Sequence, residues 1–329
     1  MVTMDWWKQL WLNEGFARFM EFVAINHLFP EWDAWTEFVQ SVYGLALSLD
    51  AMDSSHPVEV DVGTSEEISE IFDAISYAKG ASIIRMCSSY LGFETFMEGL
   101  QLYLKRHAYG NATTRDLWSA LSEVSNTDVG SLMSSWTSQV GFPLILLEDD
   151  GRISIKRYRA HGANNEDDGE ALLWPIPVTA IVEGDSKVYG PWVVGLHDDD
   201  SLTLTRNLKE WDLDGKWFKL NVSQTGFYRV GYTSNQWRRL AKAMPPSVES
   251  ISAADRLGLL SDSFAMGKAG YSCITDSLRL AHSYSEHDIA EYAVWQELAE
   301  NLLSLASLYR SEPFYDKFQK MLRTIFIKQ

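Results

Sequence analysis

The sequence predicts a multidomain, mainly α-helical protein in which a small β-sandwich separates two helical parts. Three observations support this fold class. Apolar residues recur at three- and four-residue spacing up to about residue 140, short alternating runs follow as far as Tyr232, and helical spacing returns from Ser234. The expected domains are therefore residues 1–142, 143–233 and 234–329.

The first block is predicted to consist of helices joined by short polar turns. Helical spacing is clearest over residues 35–49, 81–91, 96–103 and 117–124. Pro57 and its β-branched neighbours interrupt this pattern, which favours an extended stretch between two helices. The segment Gly141-Phe142-Pro143 closes the block.

The middle block shows the alternation that is typical of strands. We predict strands at residues 153–158, 176–182, 202–205, 217–222 and 226–232, with polar hairpin segments at 164–169 and 198–201. Several short strands at this spacing indicate a small β-sandwich. The last block is helical again, and its helix pairs would suit an α-solenoid. Because residues 326–329 carry no helix stop signal, we expect this helical domain to be truncated.

The composition is that of a globular protein with a large aromatic core, since 46% of the residues are hydrophobic and 13 are Trp. A formal net charge of −17 argues against nucleic acid or an anionic membrane as the main partner. No apolar run approaches the roughly 18 residues that a membrane span needs. Cys87 and Cys273 fit no metal spacing, so a reducing compartment is expected.

Glu14 is the most informative residue of the sequence. On a helical wheel it shares a face with Trp7, Leu10, Trp11 and Ala17. A carboxylate on such a face needs a cation or a strong hydrogen-bond donor. By burial frequencies alone, a rim position is the commoner role of such a glutamate, and a metal ligand is the alternative.

The segment from Val2 to Ala17, with its Trp-Leu-Asn-Glu-Gly-Phe-Ala run, resembles the stretch that follows the zinc helix in the M1 family of metallo-aminopeptidases. Shorter motifs in the same order extend the resemblance over essentially the whole chain, at residues 56–60, 72–82, 141–144, 225–229 and 255–259. They are most similar to the puromycin-sensitive aminopeptidase branch. This resemblance, together with the small number of cysteines, implies a cytoplasmic location, and a membrane-tethered or secreted protein is the alternative. The resemblance implies the helical part of a thermolysin-like catalytic domain, a small β-sandwich and a truncated helical C-terminal domain.

The resemblance also implies roles for two residues and one cofactor. Glu14 matches the third zinc ligand of the family, and Tyr77 matches the tyrosine whose hydroxyl stabilises the oxyanion. The other two ligands and the general base lie in an H-E-x-x-H helix, and this sequence contains no such motif. We therefore expect a C-terminal fragment that does not retain zinc and is inactive alone. Lys79 and Gly80 follow Tyr77 in its motif, and we expect Lys79 to be solvated or locally paired and Gly80 to be a close helix contact. Arg256, in the motif at residues 255–259, is expected to make a structural ion pair.

Two functions from different classes remain open. The first is a zinc-dependent aminopeptidase that removes single residues from peptides with a free N-terminus. The alternative is a non-catalytic peptide-binding or interaction protein on the same scaffold, because one carboxylate cannot hold zinc tightly. A helical-repeat adaptor is a third possibility that rests on periodicity alone.

Overall fold

The computed structural model describes residues 1–148, 152–162, 174–195, 198–286 and 291–327. Its first part is helical, as the spacing of apolar residues predicts. The helices are α1 (Trp11–Leu28), α2 (Ala34–Phe38), α3 (Gly44–Asp50), α4 (Ser65–Glu70), α5 (Gly80–Leu91), α6 (Phe93–Arg106), α7 (Thr114–Ser125) and α8 (Val129–Ser138). A short parallel pair, β1 (Thr3–Met4) and β2 (Asn111–Ala112), ties the start of the chain to the segment before α7.

Two helices of this part contain a turn of π-helix. Val39–Tyr43 joins α2 to α3, and Ile75–Lys79 leads directly into α5. A π-turn places one extra residue in a helical turn and is found frequently at functional sites. Tyr77 lies at the middle of the second π-turn.

Two three-stranded sheets follow. The first has the order β4 (Ile153–Arg157), β3 (Pro143–Leu147), β8 (Arg229–Gly231), with β3 antiparallel to β4 and parallel to β8. The second is antiparallel, with the order β6 (Tyr189–Val194), β5 (Ile176–Val182), β7 (Phe218–Leu220). Strand β5 is buried at nearly every position, which agrees with its continuous apolar sequence.

One predicted strand is wrong. Residues 202–205 belong to helix α9 (Asp198–Leu213), and the predicted hairpin segment 198–201 is the start of that helix. The physical reason is the burial of Leu204, Leu208 and Trp211, which lie four and three residues apart on one helical face. The predicted strands 217–222 and 226–232 are shorter in the structure, and the predicted hairpin at 164–169 lies outside the described residues.

The last part is helical, with α10 (Ser234–Leu240), α11 (Ala253–Lys268), α12 (Ile274–Ser285), α13 (Tyr292–Leu308) and α14 (Tyr315–Ile327). Arg256 on α11 lies 2.7 Å from Glu291 and donates to the carbonyls of Met244, Pro245 and Val248, so its predicted structural ion pair is confirmed. The mainly α-helical fold class with small sheets is thus confirmed. The boundaries at 142/143 and 233/234 stay a prediction.

In the described part of the chain, no helix combines the length and the apolar character that a bilayer crossing requires. Both cysteines are thiols without a disulfide partner, Cys87 buried in α5 and Cys273 exposed before α12. Burial raises the pKa of the Cys87 thiol to about 12, so Cys87 behaves as a small hydrophobic residue of the core.

Candidate active site

Glu14 lies in the first turn of α1, and Trp11 anchors that turn to the rest of the protein. The Trp11 side chain is fully buried, its indole N–H donates to the Thr114 hydroxyl at 3.2 Å, and its ring packs on Trp118 at 5.7 Å. These contacts fix the start of α1 against α7. Glu14, three residues further on, is partly exposed, and an acidic residue in the first turn of a helix is favoured by the helix dipole.

A glycine contact brings α1 against the segment that carries Tyr77. A Cβ atom added to Gly15 would lie 3.0 Å from the carbonyl carbon of Gly80 and 3.2 Å from the amide nitrogen of Ala81. The two backbones therefore touch, as the prediction of a close helix contact at Gly80 requires. Because Gly15 follows Glu14 and Gly80 follows the π-turn, the contact sets how near the two functional side chains lie.

Asp73 caps the π-turn that contains Tyr77. One of its carboxylate oxygens accepts hydrogen bonds from the amides of Ile75 and Ser76, both at 3.0 Å, and its carbonyl accepts from the Tyr77 amide at 3.1 Å. A carboxylate at the start of a helical turn satisfies amides that have no partner within the turn. The position of the Tyr77 backbone thus depends on Asp73.

Glu14 and Tyr77 meet at one cleft of about 350 Å³, between α1, the first π-turn, α3 and the second π-turn. Partial burial raises the pKa of the Tyr77 phenol, and so do hydrogen bonding to the Glu14 carboxylate and its negative charge. The phenol is therefore a proton donor at neutral pH, and its natural acceptor is a negatively charged oxygen. The structure brings together the two residues that the sequence singled out.

Two further charged residues of the cleft were missed by the sequence analysis. Arg18 lies 2.7 Å from Glu21, and both line the cleft beside Glu14 on the same helix. Their positions, four and seven residues after Glu14, are those of neighbours on one helical face. That spacing could have identified them.

Lys79 is more deeply placed than the sequence analysis expected. It is paired, which was one of the two expected environments, and its Nζ lies 2.8 Å from a carboxylate oxygen of Asp50. The side chains of both residues are 0% exposed. The Lys79 ammonium also donates to the carbonyl of Gly141 at 3.1 Å, and Asp50 accepts from the Gly141 amide at 3.0 Å. This ion pair ties the Tyr77 segment to the start of the β-sheet region.

His56 is another residue that the sequence did not single out as functional. Its Nε2 lies 2.8 Å from the second oxygen of Asp73, and its Nδ1 lies 2.7 Å from the carbonyl oxygen of Pro57. The hydrogen bond to Asp73 raises the pKa of His56 against the opposing effect of burial. Burial also opposes ionisation of Asp73, but the hydrogen bonds from His56 and from the Ser76 amide dominate and lower the Asp73 pKa.

A larger cavity of about 700 Å³ adjoins the cleft, because Ser41 and Leu45 line both. It lies between α3, the sheet region and α11 and α13, and Glu297 and Lys268 are among its charged lining residues. Burial raises the pKa of Glu297 and lowers that of Lys268. The cleft at Glu14 thus opens beside additional space with polar walls.

The described residues do not form a complete metal site. No group of three or more His, Cys, Asp or Glu within the described ranges is placed to hold a metal ion. Catalytic zinc uses about three protein ligands and one open position. Glu14 alone therefore does not fit zinc, although its carboxylate is a ligand of the type that zinc accepts.

The aromatic residues around Glu14 differ in their environments. Trp11 is buried and Trp7 packs edge-on against Phe72, whereas Trp6 is 59% exposed. Trp11 thus packs beneath the site, whereas Trp6 does not. Asn13 is exposed on the helix surface.

Comparison with known proteins finds matches in both helical parts of the chain. Residues 1–136 match the peptidase family M1 domain, and residues 217–329 match the ERAP1-like C-terminal domain. Aminopeptidase M1-A of Oryza sativa subsp. japonica is 42% identical over 311 residues, which are 94% of this chain and 34% of the relative. Aminopeptidase 2, mitochondrial, of Saccharomyces cerevisiae is 38% identical over 317 residues, 95% of this chain and 31% of the relative. The alanine/arginine aminopeptidase of the same yeast is 37% identical over 319 residues, 95% of this chain and 35% of the relative.

The mainly helical fold and these matches define a chain of a peptidase family. More narrowly, it belongs to peptidase family M1, whose domain matches its first 136 residues. The chain spans about a third of the length of the curated relatives it matches.

Proposed function

We propose that this chain is part of a zinc-dependent aminopeptidase in which Glu14 is a zinc ligand and Tyr77 stabilises the oxyanion. The observation that carries the proposal is that Glu14 and Tyr77 line one cleft. The two residues come from separate segments, so their meeting is a property of the fold. The relatives named above are all aminopeptidases, which supports the same reaction for this chain.

The proposed role of Tyr77 follows from its environment. A tyrosine phenol is protonated at neutral pH, and the raised pKa of Tyr77 keeps it so. It can therefore donate a hydrogen bond to an oxygen that gains negative charge during hydrolysis. A partly buried donor is worth more than an exposed one, since less water competes with it. When bound in the complete site, zinc would polarise water and carbonyl.

The remaining zinc ligands and the general base would come from the H-E-x-x-H helix that the family resemblance implies, which is not present in this sequence. The proposed substrates are peptides with a free N-terminus, and neither nucleic acid nor a membrane is a proposed partner. A cytoplasmic location is part of the proposal, and the two unpaired cysteines support it.

The proposal can be tested in an enzyme that joins the N-terminal portion of the rice relative to this chain. We expect Glu14→Gln to lose zinc and activity together. Tyr77→Phe should keep zinc and lower kcat by about 10²- to 10³-fold, the usual effect of removing one oxyanion donor. Zinc content by mass spectrometry and hydrolysis of an aminoacyl amide are the measurements.

Matched controls are available on exposed parts of the same chain. Tyr109 is 94% exposed, so Tyr109→Phe removes a hydroxyl far from any buried contact, and Glu31→Gln removes an exposed carboxylate. Both variants should retain zinc and activity. A Glu14→Gln enzyme with full zinc content and unchanged kcat would refute the proposed role of Glu14.

A second candidate, a non-catalytic peptide-binding protein, is favoured by the lack of a three-ligand metal cluster among the described residues. It predicts that the joined enzyme stays inactive while the 329-residue chain itself binds peptides. Peptide binding by calorimetry that is unaffected by added zinc, together with an inactive joined enzyme, would favour this candidate.

A further inference from the structure

The π-turn that holds Tyr77 is connected to a histidine on another segment through a continuous hydrogen-bonded path. His56 contacts one oxygen of Asp73 at 2.8 Å, and the other oxygen of Asp73 accepts from the amides of Ile75 and Ser76, both at 3.0 Å. These amides lie immediately before Tyr77. The Tyr77 amide closes the same unit by donating to the Asp73 carbonyl at 3.1 Å.

The geometry assigns a protonation state to the pair. Both ring nitrogens of His56 face oxygen acceptors, a carbonyl and a carboxylate, neither of which can donate when Asp73 is ionised. Two such contacts at 2.7 and 2.8 Å are satisfied only if both nitrogens carry a proton. His56 and Asp73 therefore form an imidazolium–carboxylate pair, which is half-buried, with side chains 30% and 34% exposed.

The other charged groups near His56 favour the same state. Asp50 adds a further negative charge that favours the imidazolium, and the Lys79 ammonium, 2.8 Å from Asp50, partly offsets this effect. The Lys79 ammonium lies at the end of the same π-turn and is bound by the Gly141 carbonyl. The turn is thus fixed at its start by Asp73 and at its end by Lys79, and His56 orients the first of these two anchors.

We propose that His56 and Asp73 are positioning residues that fix the Tyr77 hydroxyl beside Glu14. Ionised Asp73 aims its two oxygens in different directions, one to the turn amides and one to His56. Without the imidazolium, the carboxylate loses the contact that sets its rotation, and the π-turn can relax toward ordinary helix. Because an ordinary helical turn contains one residue fewer than a π-turn, this relaxation would rotate Tyr77 away from the cleft. The importance of this for catalysis rests on the proposed function.

The inference can be tested in the 329-residue chain without any catalysis. 3-Fluorotyrosine placed at position 77 reports the surroundings of that one ring by ¹⁹F NMR. We expect Asp73→Asn and His56→Ala to shift or broaden its resonance, and His56→Gln, which keeps a donor for Asp73, to restore part of the original shift. In the parent chain the resonance should move as the pH rises through the titration of His56, and His56→Ala should abolish that movement.

Asp116 offers a matched control. It also takes part in a helix cap, since its carboxylate accepts from the Thr113 amide at 2.8 Å before α7, and its pKa is likewise lowered, first by that backbone hydrogen bond. Asp116→Asn should weaken a helix cap and leave the Tyr77 resonance unchanged. If the resonance were the same in Asp73→Asn, His56→Ala and Asp116→Asn, the inference would be overturned.

In the joined enzyme the same variants separate positioning from general structure. Misplacement of a catalytic group by about 1 Å costs on the order of a hundredfold in rate. We therefore expect Asp73→Asn to lower kcat by about ten- to a hundredfold with little change in KM and none in zinc content. If Tyr77→Phe left kcat unchanged, the proposed function would fail, while the ¹⁹F result would still decide the structural inference. An unchanged kcat in Asp73→Asn beside an inactive Tyr77→Phe would contradict the inference alone.

Discussion

Replacement of Lys79 by Met should strongly destabilise the protein. The side chains of Lys79 and Asp50 are 0% exposed and their charged atoms are 2.8 Å apart. Methionine has nearly the same length as lysine and fills the same space, so the cavity contribution is small. What is lost is the charge that compensates Asp50, together with the donor to the Gly141 carbonyl.

The magnitude follows from burial. Removal of one partner of a buried ion pair leaves an uncompensated charge and typically lowers the free energy of unfolding by about 3–5 kcal/mol. Two remaining hydrogen bonds to Asp50, from the Gly141 amide at 3.0 Å and the Ser55 hydroxyl at 2.7 Å, favour the lower part of that range. Because the free energy of unfolding decreases by about 1–3 kcal/mol per M urea, the urea concentration at the unfolding midpoint should fall by at least about 1 M.

The measurement is urea unfolding followed by far-UV circular dichroism. Lys8→Met is the matched control, because Lys8 also lies 2.8 Å from an aspartate, Asp61, but the two side chains are 37% and 88% exposed. Exposed pairs contribute less than about 1 kcal/mol. Asp50→Asn combined with Lys79→Met should recover much of the stability that Lys79→Met loses. If Lys79→Met lowered the free energy of unfolding no more than Lys8→Met does, the reasoning would be refuted.

Three further predictions concern the same region. Gly15→Ala should lower the free energy of unfolding by about 1–3 kcal/mol, since the new Cβ would lie 3.0 Å from the Gly80 carbonyl carbon. Gly44→Ala is the control, because the atom nearest to its new Cβ would be the Val39 oxygen at 3.4 Å, and it should be neutral or stabilising in the same urea assay. The raised pKa of His56 means that its stabilising contribution is fully present below about pH 6.5 and is lost as the pH rises through the folded-state pKa. The lowered pKa of Asp73 means that its stabilising contribution is present above about pH 3.9 and is lost as the pH falls through the folded-state pKa. The stability difference between the parent chain and His56→Ala should therefore be larger at about pH 5.5 than at about pH 8.5, and an equal difference at both would contradict the assigned ion pair. The purified 329-residue chain should hold far less than one zinc per molecule by mass spectrometry, and stoichiometric zinc would show that other ligands complete the site.

The sequence predicts helices and buried strands well where the pattern is long. Strand β5 was expected from alternation and is buried on both faces, and helix α11 follows from helical spacing. Residues 202–205 were misassigned because four alternating residues also fit a helix, and only Leu208 and Trp211 further along reveal which face is buried. A longer window would have favoured the helix.

The candidate site was predictable only in part. Glu14 and Tyr77 were found through motifs, but the contacts that hold them depend on residues that are distant in sequence. Nothing local to Lys79 indicates that Asp50 is its partner, and nothing local to His56 indicates Asp73. Ion pairs between separate segments are set by the tertiary fold, which is why these anchors become visible only in the structure.

The contact of Gly15 with Gly80 has a consequence for how this site can vary. Where two main chains touch, their separation is governed by the van der Waals radii of peptide atoms and not by the volume of neighbouring side chains. Substitutions in the surrounding aromatic layer can then alter packing while the spacing between the acid and the phenol stays constant. The local architecture thereby isolates the spacing of Glu14 and Tyr77 from changes in the rest of the core.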